Sequence, residues 1–326
     1  MRTTFSLALL AGTIFLSGCG ESTNPDGSAQ APDAEAKYTI AVVPKGLGHQ
    51  FWFTVHEGAE AAGKEFNAQI LWNGPAKETE VAEQINILQD MISRKVDAIV
   101  MAACDENALV DTIKSALDAG IPVVTIDSGV KSDLPISFVA TDNTAAAKLA
   151  AAEMARLIGN EGEVGQIPFV PGAATSEMRE HGFNDGLKDF PDVKLVATIH
   201  CNSDMAKAMA AMEDMMTANP NLKGVFCGNE AGAIGAVAAL DASGKAGKIK
   251  VVAFDASPEQ IAALERGAMH ALILQDPFRM GHDGVKAAID HIEGRPVEKR
   301  IDTGVVIVTK ENLHDPKVQA LINPKS

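Results

Sequence analysis

Residues 39–66 read TIAVVPKGLGHQFWFTVHEGAEAAGKEF. A short β-rich apolar run comes first, then a polar loop with two glycines, then apolar residues at helical spacing. This strand–loop–helix unit repeats down the chain. Strands are predicted over 39–44, 69–72, 98–102, 123–127 and 138–141, and helices over 53–66, 80–93 and 109–119. The second half has strands over 164–170, 195–200, 224–228, 251–255 and 271–275. Its helices are predicted over 144–158, 177–190, 205–218, 231–243 and 258–266. Ser257, Pro258 and Gln260 form a capping box with Pro at the first helical position. Gly120 and Gly267 mark helix ends. Strands that are apolar throughout and alternate with helices imply parallel sheets covered on both faces, hence an α/β protein. Such sheets bind ligands at the carboxyl ends of their strands, at a topological switch point.

The residues at those strand ends are therefore the candidates. The first strand is followed by Lys45, His49, Gln50, Phe51 and Trp52, and the fourth by Asp127 and Ser128. In the second half the ends carry Asn229, Phe254 with Asp255, and Gln275, and Arg179 falls in the first turn of the helix after 171–176. Carboxylates, amides and a guanidinium can each bond two neighbouring hydroxyls. Phe51, Trp52 and Phe254 offer flat apolar surfaces. With aromatics only 5% of the chain, three at strand ends are more than scatter. A ring bearing hydroxyls at its rim and C–H patches on its faces, a sugar, fits this mixture. Lys45 has two readings, a ligand contact or a solvated loop lysine.

The N-terminal end bears on compartment. Residues 5–16 form an apolar run too short to span a bilayer, and small residues follow it, as in a signal peptide over 1–18. Cys19 directly after Leu16-Ser17-Gly18 resembles the bacterial lipoprotein box, which implies lipidation of Cys19 and a membrane anchor. Residues 19–37 are rich in Ser, Pro, Asp, Gly and Ala and read as a flexible tether. About 290 residues remain, enough for two lobes of ordinary size. The net charge of −15 argues against a nucleic-acid partner. Cys104, Cys201 and Cys227 are left after Cys19. They read as small buried thiols, with a Cys201–Cys227 bridge left open. No His or Cys cluster has metal-ligand spacing, so no metal and no cofactor are expected.

Taken in order, IAVVPKGLGHQFWFTVHEGAEAAG, AIVMAACDENALV, GIPVVTIDSG, FVATDN, REHGFNDGL, LKGVFCGNEAGAIGAVAAL, VVAFDASPE and LILQDPFRMGHDGVKAAI resemble the ribose/galactose class of periplasmic sugar-binding proteins of ABC importers. The resemblance runs from residue 37 to about 309. It implies the type I fold of periplasmic binding proteins: two Rossmann-like, doubly wound parallel-sheet lobes joined by a three-stranded hinge. Crossings are expected near Thr141-Asp142, Gln275-Asp276 and Thr303-Gly304, giving lobes of 38–141 plus 276–303 and 142–275 plus 304–326. A late helix over 280–293 would belong to the first lobe. The family's sugar-binding positions fall on Phe51, Trp52, Asp127, Arg179, Asn229, Asp255 and Gln275, with Phe254 beside Asp255. Ribose binders have Arg where Ser128 stands, an aromatic where Ser203 stands, and Asn-Pro where His49-Gln50 stands. These departures point to a sugar other than ribose. Pro44-Lys45 and Asp127-Ser128 resemble the rhamnose and autoinducer-2 branch.

The expectation is a monomeric solute-binding lipoprotein on the periplasmic side of a bacterial envelope. It would deliver a pentose, hexose or deoxysugar to an ABC permease. The alternative is a sensory receptor for a sugar or autoinducer-2, docking on a chemotaxis or histidine-kinase partner. An enzyme is not expected: the loop over 45–49 fails the dinucleotide pattern, and Asp127 and Asp255 suit hydroxyl clamping as well as acid–base work.

Overall fold

The computed structural model describes residues 36–324. The signal peptide, Cys19 and nearly all of the tether lie outside the described residues. In chain order the first elements are β1 (Tyr38–Val43), α1 (Gln50–Phe66), β2 (Ala68–Trp72), α2 (Val81–Ser93), β3 (Ala98–Met101), α3 (Val110–Asp118), β4 (Val123–Ile126) and β5 (Ser137–Ala140). Then come α4 (Asn143–Ile158), β6 (Gly162–Ile167), α5 (Ala174–Leu187), β7 (Val193–Thr198), α6 (Met205–Ala218), β8 (Leu222–Cys227), α7 (Glu230–Ala242), β9 (Lys250–Phe254), α8 (Pro258–Glu265) and β10 (Ala271–Leu274). The chain ends with α9 (Pro277–Ile292), β11 (Arg300–Asp302), β12 (Val306–Val308) and α10 (Pro316–Ile322).

These strands form two six-stranded sheets, in the orders β11-β5-β4-β3-β1-β2 and β12-β10-β9-β8-β6-β7. The two sheets repeat one winding, so β4 corresponds to β9 and β1 to β6. Strand parity builds a core on each face. Ile40 and Val42 pack with Val55, Ala59, Val285 and Ile289 of α1 and α9. Ala41 and Val43 face the other way, toward Leu88, Met91 and Ile113 of α2 and α3. In the second sheet Val251 and Ala253 join one core while Val252 and Phe254 join the opposite one.

The sequence expectation needs four corrections. The second sheet is mixed, because β12 runs antiparallel to β10. The edge strands β11 and β12 flank the expected crossing at Thr303-Gly304 and escape the sequence pattern, since RID carries no apolar run and both are three residues long. Helix α10 was not expected. The helices α1, α5 and α9 each start three residues early, so Arg179 sits in the second turn of α5 rather than the first. The capping box of α8 is present, with Ser257 and Gln260 exchanging hydrogen bonds.

His270, just before β10, carries a pH signature. Burial, reinforced by the charge of Lys250, pushes its imidazole down to about 4, and the Val251 N–H donates to Nδ1. The unfolded chain takes up this proton near pH 6.5 and the folded chain only near 4. Stability is therefore present above pH 6.5 and is lost as pH falls between those values. The expected loss is about 1–2 kcal/mol once solvent screening at this half-buried site is allowed for. Denaturant titrations of wild type and His270→Asn at pH 7 and pH 4.5 should show a smaller acid-side loss in the variant.

Candidate functional site

In each winding the strand order reverses between the first and third strands, and the polar residues collect at the carboxyl ends around that point. The loop after β1 brings Lys45 and His49, the start of α1 brings Phe51 and Trp52, the loop after β2 brings Glu78, and Asp127 follows β4. The other sheet contributes Phe169 after β6, Arg179 from α5, Asn229 after β8, Asp255 after β9 and Gln275 after β10. Together they line one narrow cavity. A larger groove borders it and shares Phe51, Asp255 and Gln275. The buried charges nevertheless converge on the smaller cavity.

Asp127 and Asp255 occupy equivalent places at the ends of β4 and β9. Both take positive φ, 52° and 75°. That conformation costs a non-glycine residue energy, is tolerated best by Asp and Asn, and is common at ligand clamps. In each case the backbone N–H still bonds the next strand, to Val139 at 3.0 Å and Ile273 at 3.1 Å. The peptide is thereby held while the carboxylate is aimed into the cavity.

Lys45 Nζ lies 3.0 Å from Asp127 Oδ2 and donates to Thr175 Oγ1 at 2.9 Å. At 3% exposure it is not a solvated loop lysine. Arg179, equally buried, donates to Asn143 Oδ1 at 2.7 Å and the Gly228 carbonyl at 2.8 Å. Its third nitrogen, Nη2, stands 4.0 Å from Asp127 Oδ1. Burial lowers its pKa from the usual range, opposed by the charges of Asp255, Asp127 and Glu78. Asp255 accepts from Gln275 Nε2 at 2.8 Å and from the Glu230 N–H at 3.0 Å. Burial raises its carboxyl above the usual range despite the help of Arg179 and these bonds.

Glu78 behaves oppositely. Burial alone would raise its carboxyl. Lys45 and His49, with hydrogen bonds from Ser203 at 2.6 Å and Trp52 Nε1 at 3.0 Å, outweigh that and hold it low. Asn229 caps α7 through Gly232 and donates to Ser203 Oγ at 3.0 Å. Two buried acceptors, Asp127 Oδ2 and Gln275 Oε1, accept no aligned hydrogen bond. Lys45 Nζ meets Asp127 Oδ2 as an ion pair and not as a hydrogen-bond donor. Buried acceptors in this state cost energy unless a donor reaches them, and both residues line the cavity.

Three expected ligand contacts do not line this cavity. Phe254 is fully buried in the core, and its ring centroid lies 3.9 Å from the Arg179 guanidinium, which it supports from beneath. Gln50 starts α1 and lines the neighbouring groove instead. Ser128 is fully buried, with Thr175 Oγ1 donating to its hydroxyl at 3.5 Å. Glu78 and Phe169 were missed. Phe169 lies inside a predicted strand end, and Glu78 sits several residues beyond β2, in a polar loop with no strand-end signal. The thiols of Cys104, Cys201 and Cys227 are free and buried, so Cys201 and Cys227 are unbridged. Burial pushes Cys104 up to about 12 and Cys201 to about 11. Among the described residues no acid, His or Cys cluster could hold a metal ion, and no helix is long and apolar enough to cross a membrane.

Comparison with known proteins finds relatives across most of the chain. Residues 40–296 match the periplasmic binding protein domain. The chain is 33% identical to a D-ribose/D-allose-binding protein of Pseudomonas aeruginosa, across 95% of this chain and 99% of that one. An ABC transporter solute-binding protein of Agrobacterium vitis, solved with bound D-fucose, is 39% identical with a TM-score of 0.84, covering 87% and 99% of the two chains. A carbohydrate transporter solute-binding protein of Agrobacterium radiobacter, in complex with D-arabinose, is 36% identical with a TM-score of 0.86, covering 89% and 100%.

Proposed function

This chain belongs to the periplasmic binding protein family, and from that membership we propose that it traps one neutral monosaccharide between its lobes and delivers it to an ABC permease. It is a binding protein and not an enzyme. The observation that carries the sugar reading is the pair Asp127 and Asp255, aimed from equivalent strand ends into one cavity. Around them, Arg179, Asn229, Gln275 and Lys45 supply donors, and Phe51, Trp52 and Phe169 supply ring faces. Three carboxylates, Glu78, Asp127 and Asp255, face two permanent cations, Lys45 and Arg179. An anionic ligand would add uncompensated charge to a buried space, so the favoured class is neutral. D-Fucose and D-arabinose, bound by the relatives of known structure, are of this class. Ser128 and Ser203 keep ribose low in preference, because neither provides a bidentate donor or a stacking ring.

Most of the residues lining the cavity are buried, so a sugar enters only when the lobes part. Capture is hinge closure, favoured by contacts made to both lobes at once. The two lobes are 38–141 plus 276–303 and 142–275 plus 304–326, with one cleft per chain and no need for a second copy. Residues 1–18 are read as the leader, and lipid on Cys19 with the tether would hold the protein on the periplasmic side of a membrane. Trp52 stands at the cavity with its indole N–H on Glu78. Titration of the purified protein with D-fucose or D-arabinose should give a saturable change in tryptophan fluorescence. D-Galacturonate at the same concentration should give none, and a response to the acid alone would contradict the neutral-ligand reading.

A further inference from the structure

Helix α1 carries Phe51 and Trp52 into the cavity, with His49 just ahead of it, yet its own segment does not cap it. His49 holds the N-cap position without a side-chain hydrogen bond, and the first turn has no acidic residue. The first N–H groups of a helix lack intrahelical partners and carry the positive end of its dipole. Here the acceptor comes from the other lobe. Glu230, the first residue of α7, accepts the Gln50 N–H on Oε1 and the Phe51 N–H on Oε2, each at 3.3 Å. Its own N–H donates to Asp255, so the chain of contacts runs from the sugar clamp through Glu230 to the opposite helix. Glu230 is 5% exposed and is not among the residues lining the sugar cavity.

We propose that Glu230 is a positioning residue, a latch that caps α1 across the cleft only when the lobes are closed. In the open form its carboxylate is hydrated and the α1 N-terminus is solvated. On closure both are buried and satisfy each other. A second contact bridges the same cleft with the acceptor on the other side: Glu78 of the first lobe accepts from Ser203 of the second at 2.6 Å. A latch of this kind sets the fraction of protein that is closed. It therefore scales the apparent affinity for every ligand by one factor, unlike a residue that touches the sugar.

This rests on the sugar-binding reading, and the test separates the two. Full-length wild type, Glu230→Ala and Glu230→Gln are titrated with D-fucose and with D-arabinose, and amide hydrogen exchange at Gln50 and Phe51 is followed both without ligand and at saturating sugar. Removing a helix cap is expected to weaken both sugars about threefold to thirtyfold. The factor should be the same for the two sugars and smaller for Gln, which keeps one acceptor. Exchange at Gln50 and Phe51 should quicken in Glu230→Ala. Unchanged exchange there, or a loss confined to one sugar, overturns the latch. Absence of binding by wild type counts against the sugar reading alone, because the exchange contrast judges the latch by itself.

Discussion

Arg179→Ala is expected to lose sugar affinity by about 3–5 kcal/mol, the cost of breaking a buried charge network by removing one partner. That corresponds to roughly two to three and a half powers of ten in dissociation constant. The guanidinium has three tasks. It ties α5 to Asn143 and to the Gly228 carbonyl, it rests on the Phe254 ring, and it offsets Asp127 and Asp255. Alanine leaves Asp127 and Asp255 buried with Lys45 as the remaining permanent cation at the cavity. Arg179→Lys should recover little, because an ammonium cannot reproduce the planar fork of donors or the stacking. Calorimetric titration with D-fucose measures the loss. A thermal melt without sugar shows how much of it is a folding defect.

The second large effect lies away from the cavity. Helices α1 and α9 cross with their backbones nearly touching. A Cβ on Gly281 would lie 2.0 Å from the Val55 carbonyl oxygen, and one on Gly58 would lie 1.9 Å from that of Phe278. Neither obstacle is a side-chain tip that can swing aside. Gly281→Val must push the helices apart and open the core of Val55, Ala59, Val285 and Ile289. Overpacking costs typically 1–3 kcal/mol, and this backbone clash should reach or exceed about 3 kcal/mol. Because α1 carries Phe51 and Trp52, affinity should fall as well. Gly48→Ala is the control: its Cβ meets nothing within 4 Å, so stability should not change. Urea denaturation of the three proteins checks both statements.

Much of this arrangement was legible in the sequence because two periodicities carry it. Apolar strands alternating with amphipathic helices announce parallel sheets, and parallel sheets put ligands at strand ends. That reasoning alone reaches Asp127, Asn229, Asp255 and Gln275. It fails where parity matters: Phe254 ends β9 on the face that already holds Val252, so it enters the core and Asp255 turns to the cavity. It fails again where local pattern is absent, as in the polar edge strand β11. Contacts between the lobes are the least legible. Asn229-Glu230 reads as an ordinary helix start, and nothing near it reveals that Glu230 caps a helix 180 residues away.

Isothermal titration of the full-length protein against D-fucose, D-arabinose, D-allose, D-ribose and D-galacturonate tests the sugar-binding cleft most directly. The expected result is one-to-one binding of at least one neutral sugar in the micromolar range or tighter, weaker binding of ribose, and no heat from the acid. No binding by any neutral sugar, or tight binding of the acid alone, would contradict it.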